Sequence, residues 1–300
     1  MDAQRFEPMS VGQILDGAFK LYQKNFVRFI AIVAVAYVPI GLINFVGYSV
    51  MGFSTPKTLF TVDSGSESSG HTGLKFKTEM GKPIDPDRVS PGRTAIGFLF
   101  VAAGGILSIF AYYLCGGALM KSVSEAYLGK EATVGEAYRF VWPKLGWLIA
   151  GFSLVGLTVL LGLVLFIVPG IIFSLWYALT GQVIVLENCR ATKGMSRSKA
   201  LTSGNLGKVF VVGLVAGLIV LVISGVVNGA VGMMGFAVAR SSTTASLFLT
   251  QLGSVAGEVL ALPISSAAMI LLYYDLRIRK EGFDLEMLAK SLNPSKDDVG

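Results

Sequence analysis

From Leu145 to Leu186 the chain carries no charged side chain, and the stretch is closed by Lys144 before it and Glu187 after it. A helix that crosses the hydrocarbon of a bilayer needs ~20 apolar residues at ~1.5 Å rise each. The 42 positions here exceed one span and suffice for two. A soluble helical hairpin of that length would keep a polar face, and this one has none. Pro169-Gly170 lies a little past its midpoint, where a missing donor and a residue without Cβ favour reversal. The stretch therefore reads as a transmembrane hairpin with both ends on one side of the membrane.

The remaining composition agrees. Hydrophobic residues make up 53% of the 300 and charged residues 15%, well under the ~25% charged fraction of soluble domains. The net charge is +6, yet the basic residues flank apolar runs and build no dense patch. They read as a topology signal and an attraction to anionic lipid rather than a nucleic-acid surface. Cys115, Cys189 and the single His71 give no metal-ligand spacing, and no disulfide is expected. No cofactor is implied. The first apolar run begins near Phe26 after a long polar lead, so no cleavable signal is expected.

Ahead of that first run, Val11, Ile14, Leu15, Ala18, Phe19, Tyr22 and Phe26 form a helical stripe, and Gln13, Asp16, Lys20, Gln23 and Lys24 take the other face. Ser10 with Gln13 has the form of a capping box. The motif returns as Thr133-Val134-Gly135-Glu136-Ala137-Tyr138, and in weaker form as Ser196-Arg197-Ser198-Lys199-Ala200-Leu201. The junctions Asn25-Phe26-Val27-Arg28, Lys144-Leu145-Gly146-Trp147 and Asn205-Leu206-Gly207-Lys208 are alike too. Three units follow from this pattern, at 10–132, 133–195 and 196–290, within one membrane domain over 1–300. Each is an amphipathic interfacial helix followed by a hairpin of two spans. The expected fold is all-α and polytopic, with six transmembrane helices, a loop at 52–93 and a tail at 276–300. Within the loop, Thr58–Val62 and Leu74–Thr78 alternate apolar and polar, as a small hairpin would. Phe283, Met287 and Leu288 hint at a further surface turn. Eighteen of the 25 lysines and arginines fall on the side of the termini, which predicts cytoplasmic termini.

The opening RFEPMSVGQILDGAFKLYQKNF (5–26) and the closing LLYYDLRIRKEGFDLEML (271–288), joined by six spans, resemble the glycerophosphoryl diester phosphodiesterase membrane domain family. That resemblance implies a prokaryotic inner-membrane, multi-pass module named after an enzyme domain it sometimes accompanies. The enzyme uses a His-Arg pair, acidic metal ligands and a second histidine. Here His71 is followed by Thr72 and no second histidine exists, so the hydrolase activity does not carry over.

Glu258 is the one acidic residue inside an apolar run, and a carboxylate there must be neutral, paired or facing water. Two readings stand. Asn44, Asn228 and Glu258 could form a polar pocket, with Pro39, Pro169 and Pro263 as helix breaks. Alternatively, the acid and the amides hydrogen-bond between helices. Asp275, Arg277, Arg279 and Lys280 mark the exit of the last span, either as a headgroup or partner contact or as a topology anchor in which Asp275 bridges to an arginine. Gly213/Gly217, Gly225/Gly229 and Gly253/Gly257 have the spacing of close-packing faces within the chain. Trp142, Trp147 and Trp176 read as interfacial aromatics. The expected function is a non-enzymatic module that binds membrane lipids, or a membrane or cytoplasmic protein partner, through its surface helices. A transporter of small solute or lipid using the Glu258 pocket is the alternative.

Overall fold

The computed structural model describes residues 8–51, 57–60, 76–79, 91–239 and 242–282. The fold is all-α and polytopic. Among the described residues, six helical stretches are long and apolar enough to cross a membrane: Phe26–Met51, Thr94–Tyr127, Val134–Leu165, Ile167–Leu186, Leu206–Ala239 and Thr244–Glu281. His71, the greater part of the 52–93 loop and the turn proposed at Phe283–Leu288 lie outside the described residues. Two four-residue strands in that loop, β1 (Lys57–Phe60) and β2 (Phe76–Glu79), pair antiparallel with Lys57 opposite Glu79.

Helix α1 (Val11–Lys24) starts where Ser10 Oγ accepts from Gln13 N at 3.3 Å and Gln13 Oε1 accepts from Ser10 N at 2.7 Å. The reciprocal cap satisfies two of the donors a helix start leaves free. Ile14, Ala18 and Tyr22 are buried, whereas Phe19 of the same stripe stands outward. Helix α2 (Phe26–Met51) follows after Asn25, and α3 (Pro91–Tyr127) returns. Helix α4 (Val134–Val141) repeats the cap, with Glu136 Oε2 accepting from Thr133 N at 2.8 Å. A single 3₁₀ turn joins it to α5 (Leu145–Leu165).

The central hairpin reverses at Phe166, not at Pro169-Gly170. Phe166 is extended, at φ −158° and ψ 143°, and α6 (Ile167–Trp176) begins immediately after it. Pro169 is the third residue of α6, where an amide would have no partner within the helix, so proline opens the helix instead of breaking it. Gly170 permits the close crossing: a Cβ there would stand 2.8 Å from the Leu163 backbone nitrogen. Pro39 and Pro263 are likewise not breaks, since α2 and α10 (Thr243–Glu281) run on through them. Each removes one ladder bond from a long apolar helix, which its neighbours hold in place.

A turn at residues 177–179 separates α6 from α7 (Thr180–Leu186). Helix α8 (Ala191–Thr202) starts five residues before Ser196; its N-cap is Arg190, with no side-chain cap. The third motif copy is therefore interior to the helix, and its hydroxyls serve a different purpose. Ser198 Oγ donates to Trp176 O at 2.8 Å and accepts from Leu179 N at 3.1 Å, and Thr202 Oγ1 donates to Trp176 O at 3.1 Å. These bonds satisfy backbone groups exposed by the break between α6 and α7. Helix α9 (Leu206–Ala239) and α10 complete the fold.

Residue contacts divide the chain into two compact units. The first comprises residues 1–36, 110–223 and 258–300, and the second residues 37–109 and 224–257. The first holds the short helices and a core of Val141, Leu148, Ile184 and Val185. In it Gly117 lets Val141 and Leu148 approach α3, and Gly151 and Gly194 both face Ile184. In the second unit Gly253 and Gly257 on α10 meet Val231, Asn228 and Ser224 on α9, a real close-packing face. Gly213, Gly217, Gly225 and Gly229 meet nothing within 4 Å, so those two pairs are not packing faces within the chain. Val164–Val168, around the hairpin tip, are all exposed. So contiguous an apolar surface requires lipid around it.

Candidate functional site

Two features of the first unit concentrate its polar groups. The first is a charged layer along the end of α10. Asp275 is 0% exposed. Its carboxylate accepts from Met9 N at 2.7 Å and from Arg279 Nε at 3.1 and 3.2 Å, and it pairs with Lys208 at the start of α9. Lys208 and Arg279 also donate to Met9 O, the latter at 2.9 Å. The segment ahead of α1 is thus held by one carboxylate and two cations. A second group lies on Arg197 of α8, whose guanidinium reaches Glu187 Oε2 at 2.9 Å and pairs with Glu281. Tyr273 Oη donates to Glu187 Oε1 at 3.0 Å, and Arg277 Nε meets Glu281 at 3.1 Å. Hydrogen bonding to Glu281, and then to Glu187, holds the Arg197 guanidinium above its ordinary range against the pull of burial. Lys280 donates to Ala200 O at 2.6 Å and to Ser203 O, closing the carbonyl end of α8.

Asp275, Arg277, Arg279 and Lys280 therefore all have partners within the chain. The bridge from Asp275 to an arginine that the anchor reading expects is present, to Arg279. Asn44 packs its amide against Gly104, and Asn228 donates to Ser224 O of its own helix at 2.8 Å, both in the second unit. Glu258 opens the last segment of the first unit.

The second feature is a cavity of about 220 Å³ in the first unit, between α3, α5, α7 and α10. Tyr112, Met120, Phe152, Gln182, Ser265 and Ser266 are among its lining residues, and none of the described lining residues is charged. Gln182 is 4% exposed, and its Oε1 has no hydrogen-bond partner among the described residues; Ser266 Oγ is buried and equally unmatched. A buried polar atom without a partner costs about 1–3 kcal/mol, and both atoms belong to residues of the cavity lining. Glu258 precedes Leu262, Ser265, Ser266 and Met269 of the lining by 4, 7, 8 and 11 positions, along one stripe of α10. The acid found by sequence thus belongs beside this cavity.

Sequence reasoning passed over Gln182, Ser265 and Ser266. Gln182 was visible as the single carboxamide in the uncharged stretch 145–186, and that singularity was the available signal. Cys115 and Cys189 are free thiols. Burial, with Glu187 adding to it, pushes the Cys189 thiol up. Among the described residues no group of three His, Cys, Asp or Glu side chains could hold a metal ion.

No family model, curated protein or solved structure matches the chain. The likeness of 5–26 and 271–288 to the phosphodiesterase membrane domain family rests on those residues alone.

Proposed function

We propose that the protein is a non-catalytic membrane module of the prokaryotic inner membrane that binds anionic lipid along its cytoplasmic face, through α1, α4 and α8. The observation that carries this reading is the two-sidedness of these helices. Each buries one face, at Ile14 and Ala18, at Ala137 and Val141, and at Ala191 and Leu201. Their opposite faces leave Lys20, Lys24, Arg139, Lys193 and Lys199 exposed. Phe19, Trp142 and Trp147 stand out beside those cations, Trp142 at 67% exposure. Aromatic rings at headgroup depth with basic residues around them match an interface rich in anionic lipid. The two capping boxes, at Ser10 and Thr133, and the excess of basic residues on the termini side support the same orientation.

The test is lipid retention. The protein in nanodiscs of mixed phosphatidylglycerol and phosphatidylcholine is released gently and weighed by native mass spectrometry. Enrichment of phosphatidylglycerol is expected, and it falls when the five exposed cations become glutamine, each cation near the surface contributing about 1 kcal/mol. Equal retention of both lipids by both proteins rejects the reading. A second reading, transport, is favoured by one observation, the position of Glu258 on the cavity stripe. Solute or lipid flux across proteoliposomes that Glu258→Gln abolishes would replace the module with a carrier.

A further inference from the structure

The cavity of the first unit has features of a ligand site separate from the interfacial helices. Its walls mix aromatic and aliphatic side chains with the Gln182 amide and the Ser265 and Ser266 hydroxyls. Ser265 Oγ is already used, donating to Leu262 O at 3.0 Å. Gln182 Oε1 and Ser266 Oγ are the two unmatched atoms. Rotating the Gln182 amide by a half turn would exchange an unmatched acceptor for an unmatched donor, so an unmatched group remains in the cavity wall in either orientation.

Three constraints then define the occupant. The described lining is uncharged, and an ionised group without a counter-charge would not be solvated there. An orphan acceptor and an orphan hydroxyl in one lining ask for a ligand that both donates and accepts, as an alcohol does. Ser266 lies nine residues before Asp275 on α10, roughly 14 Å along the helix, which is well inside a hydrocarbon core ~30 Å thick. Tyr112, on the rim, is 54% exposed on the outside of the helices. A ligand reaching this depth arrives from the lipid phase.

We infer that this cavity binds the head of an uncharged, hydroxyl-bearing amphiphile dissolved in the membrane, with Gln182 and Ser266 holding the hydroxyl and Tyr112, Met120 and Phe152 holding the adjoining carbons. A diacylglycerol has that chemistry and serves as the probe.

The experiment uses the full chain in phosphatidylcholine nanodiscs with a diacylglycerol carrying a diazirine near its glycerol end. Illumination is expected to label peptides containing residues 112–120 and 262–269. A tenfold excess of unlabelled diacylglycerol removes the signal, and phosphatidic acid with the same chains does not. Gln182→Leu keeps the volume and removes the amide, so labelling falls about fivefold, the worth of one neutral hydrogen bond, while thermal stability holds or rises. Ser266→Ala gives a second, smaller fall. Labelling unchanged in both variants overturns the inference, as does equal competition by phosphatidic acid. Labelling absent from both peptides overturns it too, and assigns the cavity to water. Retention of anionic lipid at the interface is a separate readout, so either proposal can fail while the other stands.

Discussion

Replacing Asp275 with alanine tests whether the two ends of the chain are held together by one carboxylate. The wild-type group is fully buried and receives Met9 N, Arg279 Nε and the Lys208 ammonium, whose side chain is 14% exposed. Alanine leaves Lys208 desolvated with only the Met9 carbonyl for company. Removing one partner of a buried pair costs about 3–5 kcal/mol, most of it the uncompensated charge that remains. Arg279 adds little to that figure, because its side chain is 36% exposed and its pair is screened. The Met9 amide contributes about 1 kcal/mol more. The measurement is reversible unfolding in mixed micelles, together with amide exchange at Met9 and Ser10, which should quicken far more than the core of α10. Adding Lys208→Met removes the stranded charge and should restore at least half of the loss. A single-variant cost below about 1 kcal/mol, or a double variant no better than Asp275→Ala alone, would refute the clamp.

Three further outcomes follow from the packing. Ser198→Ala strips the Leu179 amide of its acceptor while Thr202 still reaches Trp176 O; a loss of about 1–3 kcal/mol is expected, with faster exchange at Leu179, and unchanged exchange would contradict it. Gly257→Ala pushes a methyl to 2.8 Å from the Asn228 side-chain nitrogen and should cost about 1 kcal/mol as that amide gives up its bond to Ser224 O, whereas Gly213→Ala, which meets nothing, should be neutral or stabilising by unfolding midpoint. Cys189, its thiol pushed up by burial and by Glu187, should react with iodoacetamide more slowly than a free thiol from pH 7 to 9, because less thiolate is present at each pH; Cys115, 1% exposed, should react only after unfolding.

What could be read in the residues was local or one-dimensional. The uncharged stretch from Leu145 and the two complete capping boxes, Ser10/Gln13 and Thr133/Glu136, are set by neighbours within four positions, and the structure keeps them. The reversal at Phe166 escaped, because a proline reads as a breaker until its place in the helix is known. Arg190 as the start of α8 escaped for a related reason: Ser196 stood in the position of a cap but lies inside the helix, where Ser198 and Thr202 serve the carbonyl of Trp176 on another helix. The partners of Asp275 and the unmatched face of Gln182 depend on contacts across long separations, which periodicity does not encode. Charge drew attention to Glu258, while an uncharged amide in the same unit proved to be the more isolated group.

The Met9–Asp275 contact spans 266 positions. At ~5–20 residues per second, a ribosome needs roughly 10–50 s to make the carboxylate after its backbone partner has emerged. Throughout that interval the first helix has no seat at this seam, and a nascent chain cut short before α10 never gains one. The contact is thus a latch that only a polypeptide made through α10 can fasten, and an open latch would distinguish chains that stop short of α10 from those that contain it to any protease patrolling the membrane.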